Sequence, residues 1–127
     1  MTGANGFVGA MLCKKLIDRG DQVVGLVRAT SDLSLLDAVP LTKITGRLSD
    51  PSSLNAAVRH VYVVYHVAAK VSDWGSLESF RKINVEGTRH LLDASRKAGV
   101  KRVVFISSVA VHAFAGGQDM DENAPQQ

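Results

Sequence analysis

The chain has 127 residues, 46% hydrophobic and 21% charged, the size and make-up of one globular domain rather than two. A formal net charge of +3 with scattered basic residues argues against a nucleic-acid partner, and no apolar run is long enough to span a membrane. The lone cysteine, Cys13, excludes an internal disulfide and suits a reducing, cytoplasmic setting.

Residues 2–9 read T-G-A-N-G-F-V-G, a glycine-rich turn. A helical pattern follows, with Phe7, Val8, Met11, Leu12, Leu16 and Ile17 mostly on one face and Lys14, Lys15, Asp18 and Arg19 off it. Gly20 stands where a helix C-cap glycine belongs. Residues 23–27 are a short apolar run before Arg28, expected as a buried strand. Residues 31–38 suit a short helix with Ser31 or Asp32 near its N-cap, and residues 41–45 a strand after Pro40. Asp50-Pro51 opens a helix that runs to about Arg59, with proline at its first position. Residues 61–68 read as a continuous apolar strand and residues 70–76 as a loop containing Trp74. Residues 77–98 read as a long helix stopped by Gly99, and residues 101–106 as a strand ending at Ser107-Ser108. The polar, aperiodic stretch 116–127 reads as a loop.

Strands alternating with helices predict an α/β fold, a doubly wound parallel sheet with helices on both faces. Strands apolar on both sides fit a sheet covered on both faces. A glycine-rich turn of this kind should follow a strand, yet only Met1 precedes Thr2. In such a sheet that strand is central, and without it two unpaired edges would lie inside the domain. The expectation is a sheet with its first strand largely missing, in a chain that begins late or is a piece of a longer one.

Gly3, Gly6 and Gly9 spell G-x-x-G-x-x-G. The three glycines serve a tight turn, close approach of backbone to a pyrophosphate, and close helix packing. The helix then turns its first amides and positive dipole end toward the phosphates, which nominates Gly3, Asn5, Gly6, Phe7 and Val8 as dinucleotide contacts. Arg28 ends the next strand, where the adenine ribose should lie. An acidic residue there would accept the 2'-hydroxyl of NAD, whereas arginine pairs with the 2'-phosphate of NADP. The cofactor expectation is therefore NAD(P), with NADP favoured and Thr30 and Ser31 as further hydroxyl donors. No cluster has metal-ligand spacing.

These motifs, taken together, resemble those of the extended short-chain dehydrogenase/reductase superfamily, the epimerase/dehydratase group with its Rossmann-like domain. Asp50 with Leu54 resembles the D-x-x-x-L element after the third strand, and His66, Val67, Ala68 and Ala69 the H-x-A-A strand end that lines the adenosine side. Residues 84–88 resemble N-V-x-G-T, residues 103–108 the strand that delivers the active-site serine, and Asp121, Glu122 and Pro125 the D-E-x-x-P loop. A-A-K-V-S-D-W-G and V-A-V-H-A-F-A-G-G look most like the branch of 3-beta-hydroxysteroid dehydrogenases, dihydroflavonol-type reductases and related sugar epimerases.

The resemblance implies that residues 1–127 are an NAD(P)-binding domain, incomplete at both ends, of an oxidoreductase or epimerase. Its small-molecule substrate would be a secondary alcohol, ketone or nucleotide sugar. Ser108 would be the catalytic serine and Ser107 its neighbour on the cofactor side. Asn84 would be a buried polar group on the long helix. His112 would be exposed or near substrate, Trp74 at the pocket border or packed, and His60 and His90 on the surface. The resemblance also raises a homodimer of the whole protein, with residues 77–98 as the candidate face.

The sequence departs from the family pattern in three places. The Y-x-x-x-K pair that moves the proton has no match, because four residues after Tyr62 and Tyr65 stand His66 and Ala69, and both tyrosines fall in an expected buried strand. Residues 1–127 alone are therefore expected to turn over no substrate. Arg47 stands where an adenine-contacting aspartate is common, and Tyr62 where an aspartate often precedes the fourth strand. A non-catalytic NADP-sensing module of the same fold is the rival reading. A methyltransferase-type Rossmann domain is a third, disfavoured by Arg28 and by the Ser107-Ser108 strand end.

Overall fold

The computed structural model describes residues 1–112 and 121–124. Strands β1 (Val24–Val27) and β2 (Thr42–Thr45) pair in parallel, Val24 opposite Thr42 and Val27 opposite Thr45. Strands β3 (Val63–His66) and β4 (Arg102–Phe105) do the same, Val63 opposite Arg102. The start of the chain joins the two pairs. Thr2 bridges Leu26 on one side and His66 on the other, both in parallel. Leu26 N–H donates to the Met1 carbonyl at 2.9 Å, Thr2 N–H to that of Tyr65 at 3.0 Å, and Val67 N–H to that of Thr2 at 3.3 Å. The order across the sheet is thus β2, β1, residues 1–2, β3, β4. Met1 and Thr2 occupy the central position, the remnant of the first strand expected to be largely missing, and they partly close the two edges.

Successive residues of β1 reach opposite faces, as the two-residue strand period requires. Val27 joins a cluster with Ala10, Cys13, Leu16, Leu36 and Val39. Leu26 joins one with Leu54, Val58, Val64, Leu91 and Ala94. The sheet is therefore covered on both sides, the Rossmann-like α/β arrangement read from the sequence. Helix α1 (Phe7–Asp18) buries Gly9, Ala10, Cys13 and Leu16; of the expected stripe Leu16 is buried and Leu12 and Ile17 pack against the core, whereas Phe7, Val8 and Met11 are exposed. Phe7 is 80% exposed and Met11 51%. Small residues at three- and four-residue spacing let α1 lie close to the sheet.

Helix α2 (Pro51–Ala57) starts as anticipated, with Asp50 as N-cap accepting from Ser52 N–H at 3.0 Å and proline in the first turn. Residues 31–38 form only a short 3-10 turn, Ser34–Leu36. There the Asp32 carboxylate accepts from Ser34 N–H at 2.9 Å, a local bond that competes with a full helix. β3 begins only at Val63, so Tyr62, expected inside this buried strand, lies before it and is 72% exposed. β4 is half-buried and leaves Phe105 exposed, and no described strand pairs with its outer edge.

The expected long helix is present as three joined pieces: α3 (Leu77–Phe80), a π-helical stretch (Arg81–Glu86) and α4 (Gly87–Lys97). The expected loop 116–127 falls largely outside the described residues, as does Pro125; residues 121–124 form a turn in which the Asp121 carboxylate accepts from Asn123 N–H at 2.9 Å. Among the described residues no helix is long and apolar enough to cross a membrane.

Candidate functional site

At the carboxyl ends of the strands a cleft of about 1030 Å³ opens between the turn at residues 2–9, the loops after β1 and β2, and residues 67–72 after β3. This is the size of a cavity for a cofactor-sized ligand, and it lies where parallel sheets bind ligands.

The three glycines of the turn differ in what the fold asks of them. Gly3 adopts φ +67°, and a Cβ there would come within 2.7 Å of the Ala68 nitrogen. A Cβ on Gly9 would overlap the Gly3 carbonyl oxygen outright. Both are required by protein packing. Gly6 is exposed at φ −82°, and a Cβ would meet only the Gly3 oxygen at 3.4 Å, an ordinary contact. Nothing within the described protein needs glycine at position 6.

Gly6 is also the N-cap of α1, and it provides no side-chain cap. Ala10 N–H is the first amide of the helix to find a carbonyl, that of Gly6 at 2.8 Å. No described residue supplies an acceptor for the amides of Phe7, Val8 and Gly9. These donors and the positive end of the helix dipole form an anion-binding terminus at the cleft.

The walls add charge of one sign. Arg28, Arg47 and Lys70 line the cleft, and no acidic residue is among the described residues that do. The ion pairs of the described structure are Arg19 with Asp21 and Arg96 with Asp93, away from this wall. Ser31 also lines the cleft, and its hydroxyl oxygen is buried without a hydrogen-bond partner. Asn5 donates from its amide to the Asp32 carbonyl at 3.1 Å, tying the glycine turn to the loop after β1.

The opposite wall is held from behind. Asn84, on the π-helical stretch, accepts from Lys70 N–H at 2.7 Å and donates to the Lys70 carbonyl at 3.0 Å. One side-chain amide thus satisfies both backbone groups of a cleft residue. His66, 2% exposed, touches Thr2 Oγ1 through Nδ1 at 2.7 Å and Thr88 Oγ1 through Nε2 at 2.9 Å. Burial, with a smaller contribution from the chain's amino terminus, lowers its pKa below the ordinary histidine value, so the ring is neutral near pH 7.

Of the residues nominated from sequence, the cleft gathers Gly3, Asn5, Gly6, Phe7, Val8, Arg28, Val67, Ala68 and Ala69. His66 stands behind the wall and does not line it. Ser107 and Ser108 are exposed beyond the end of β4, on the same edge of the sheet but not on this cleft. Ser108 Oγ accepts from Ala110 N–H at 3.2 Å and caps a short 3-10 turn. His90 is not a plain surface residue, since its Nδ1 lies 3.2 Å from the Leu48 carbonyl. His112 is half-buried rather than exposed. Trp74 is 86% exposed and packs on nothing substantial. Sequence reasoning read Arg47 only as a missing acceptor and passed over Lys70, because a basic residue in a loop carries no pattern of its own.

The model of the NAD dependent epimerase/dehydratase family matches residues 1–127. A 2-alkyl-3-oxoalkanoate reductase of Stenotrophomonas maltophilia is 38% identical over 111 residues, covering 87% of this chain and 33% of that protein. A 3-beta-hydroxysteroid dehydrogenase of Mycolicibacterium neoaurum is 36% identical over 136 residues, covering 98% of this chain and 36% of that protein. Among solved structures, a dTDP-glucose 4,6-dehydratase of Streptomyces venezuelae, determined with NAD bound, superposes with a TM-score of 0.85 at 29% identity; the match covers 99% of this chain and 44% of that one. The chain spans about a third of the length of the curated relatives it matches.

Proposed function

The chain belongs to the NAD-dependent epimerase/dehydratase family, and from that premise we propose that it supplies the cofactor cradle of an NAD(P)-dependent oxidoreductase or epimerase, with NADP favoured. Gly6 is the observation that carries the reading. The protein's own packing tolerates a side chain there, whereas a diphosphate lying on the free amides of Phe7, Val8 and Gly9 does not.

In this reading Gly3, Asn5, Gly6, Phe7 and Val8 hold the pyrophosphate end, and Val67, Ala68 and Ala69 flank the adenosine. Arg28 receives the 2'-phosphate, since an arginine in a cleft with no acidic lining among the described residues attracts that dianion and offers no acceptor to a bare ribose hydroxyl. His66 supports the wall from behind. Bound cofactor supplies hydride transfer, and this chain binds and orients it. Ser108, with Ser107 beside it, would hydrogen-bond the oxygen of a secondary alcohol, ketone or nucleotide-sugar substrate. Tyr62 and Tyr65 have no lysine four residues on, so residues 1–127 alone bind cofactor without turnover.

Calorimetric titration of the intact gene product with NADPH and NADH tests the reading. NADPH should bind more tightly, and Arg28→Asp should weaken NADPH far more than NADH, because it replaces attraction with repulsion at one phosphate. Equal affinity for both cofactors would remove the NADP preference, and no binding of either would remove the cradle.

A further inference from the structure

We infer that Arg47 is a second phosphate-binding residue, and that Arg28, Arg47 and Ser31 together form one site for the 2'-phosphate of the cofactor's adenosine. The inference rests on the proposed dinucleotide reading and assigns Arg47 a role that reading leaves empty.

The sheet places the two arginines at neighbouring strand ends. Val27 is paired with Thr45, and Gly46 N–H donates to the Val27 carbonyl at 2.9 Å. Arg28 follows Val27 and Arg47 follows Gly46, so they leave neighbouring strand ends on the same edge. Neighbouring strands lie about 4.8 Å apart, well within the reach of two arginine side chains. Both residues are exposed and both line the cleft. No described carboxylate pairs with either. Two cations that line one cleft with no described counter-ion favour a dianion there. Lys70, the third cation, is engaged elsewhere: its ammonium donates to Ser79 Oγ at 2.8 Å and lies 5.0 Å from the centre of the Phe80 ring.

Ser31 lines the same cleft. Its hydroxyl oxygen is closed to solvent and has no partner among the described residues, so a turn of its side chain would bring it to a phosphate bound there. A phosphate monoester takes two guanidiniums in bidentate fashion and still accepts from a hydroxyl. The diphosphate is served separately by the free amides of α1, so the cleft offers two anion sites, one for the diphosphate and one for the 2'-phosphate of NADP. Arg47 also removes the carboxylate acceptor that an aspartate would offer the adenine amino group, which leaves the base held by the cleft walls alone.

The test uses the intact gene product, titrated with NADPH, NADH, adenosine 2',5'-bisphosphate and 5'-AMP. The Arg47 side chain is exposed and only its backbone holds Ser53, so Arg47→Ala should keep the wild-type melting temperature. Arg47→Ala should weaken NADPH and the bisphosphate by about tenfold or more, and NADH and 5'-AMP by less than about twofold, as loss of a charged hydrogen-bond donor predicts. Arg47→Lys should recover part of the loss, keeping the charge without the fork. Equal weakening of all four ligands would place Arg47 on the adenine face and overturn the inference, as would no change in any. If Arg28→Ala abolishes the preference for NADPH while Arg47→Ala keeps it, only the role of Arg47 falls. A wild-type protein that binds adenosine 2',5'-bisphosphate no better than 5'-AMP overturns the Arg28 reading as well.

Discussion

Thr2 Oγ1 and His66 Nδ1 lie 2.7 Å apart inside the sheet, and the bonds around them fix which nitrogen carries the proton. Thr88 spends its one hydroxyl hydrogen on the Asn84 carbonyl at 2.6 Å, so towards His66 Nε2 it accepts. The proton is therefore on Nε2, Nδ1 is bare, and the Thr2 hydroxyl donates to it. Ala68 N–H in turn donates to Thr2 Oγ1 at 3.2 Å. The result is a one-way chain from the cleft wall through the central residue to the long helix.

A proton on Nδ1 would break this chain, and burial already opposes it. The folded-state pKa lies below the unfolded value of about 6.5, so on acidification the unfolded chain takes up the proton first. Stability contributed by His66 is complete above about pH 6.5 and is lost as pH falls toward the lower folded-state pKa. Denaturant midpoints measured between pH 7.5 and 5 should fall for the wild type. His66→Gln, which does not titrate, should start lower and change less across that range. Parallel curves for the two proteins would show that another group carries the pH dependence.

Gly6 and Gly9 should separate binding from folding. Gly9→Ala gains roughly 1 kcal/mol of helix propensity, yet places a methyl group into the Gly3 carbonyl, and the overlap dominates. It should lower the melting temperature sharply or prevent folding. Gly6→Ala, at φ −82° with only an ordinary contact, should melt within a few degrees of wild type while losing about tenfold or more of its NADPH affinity. Thermal melts with and without cofactor measure both. Retained affinity in Gly6→Ala would mean that no diphosphate approaches that position.

The order of elements and the cleft-lining turn were legible because each rests on local chemistry: apolar runs for β1 and β3, Asp50-Pro51 for the start of α2, and glycine spacing for the turn. Other features depend on partners distant in sequence. Nothing local separates Phe7 and Met11, which face outward, from Cys13 and Leu16, which face the sheet. The π-helical stretch is likewise silent in the sequence, since residues 81–86 read as ordinary helix. Lys70 and Asn84 are joined only because β3 ends beside that stretch. That Arg28 and Arg47 leave neighbouring strand ends beside one cleft follows from the β1–β2 register, which hydropathy alone does not specify.

Asn84 offers the last test. Its side chain is the partner of both Lys70 backbone groups, and Lys70 belongs to the cleft wall formed by residues 67–72. Asn84→Ala removes both bonds and leaves a partly buried amide and carbonyl to find water, a loss of about 1–3 kcal/mol. Hydrogen exchange should show the Lys70 amide losing protection, while amides in the middle of α1 stay as they were. Cofactor affinity should fall with it, because the wall is no longer held at one distance from the glycine turn. Asn84→Asp keeps the acceptor for Lys70 N–H and loses the donor to its carbonyl, so it should lie between wild type and alanine in both measurements. An unchanged exchange rate at Lys70 in Asn84→Ala would show that the loop is fixed by other contacts and that the long helix does not position this wall.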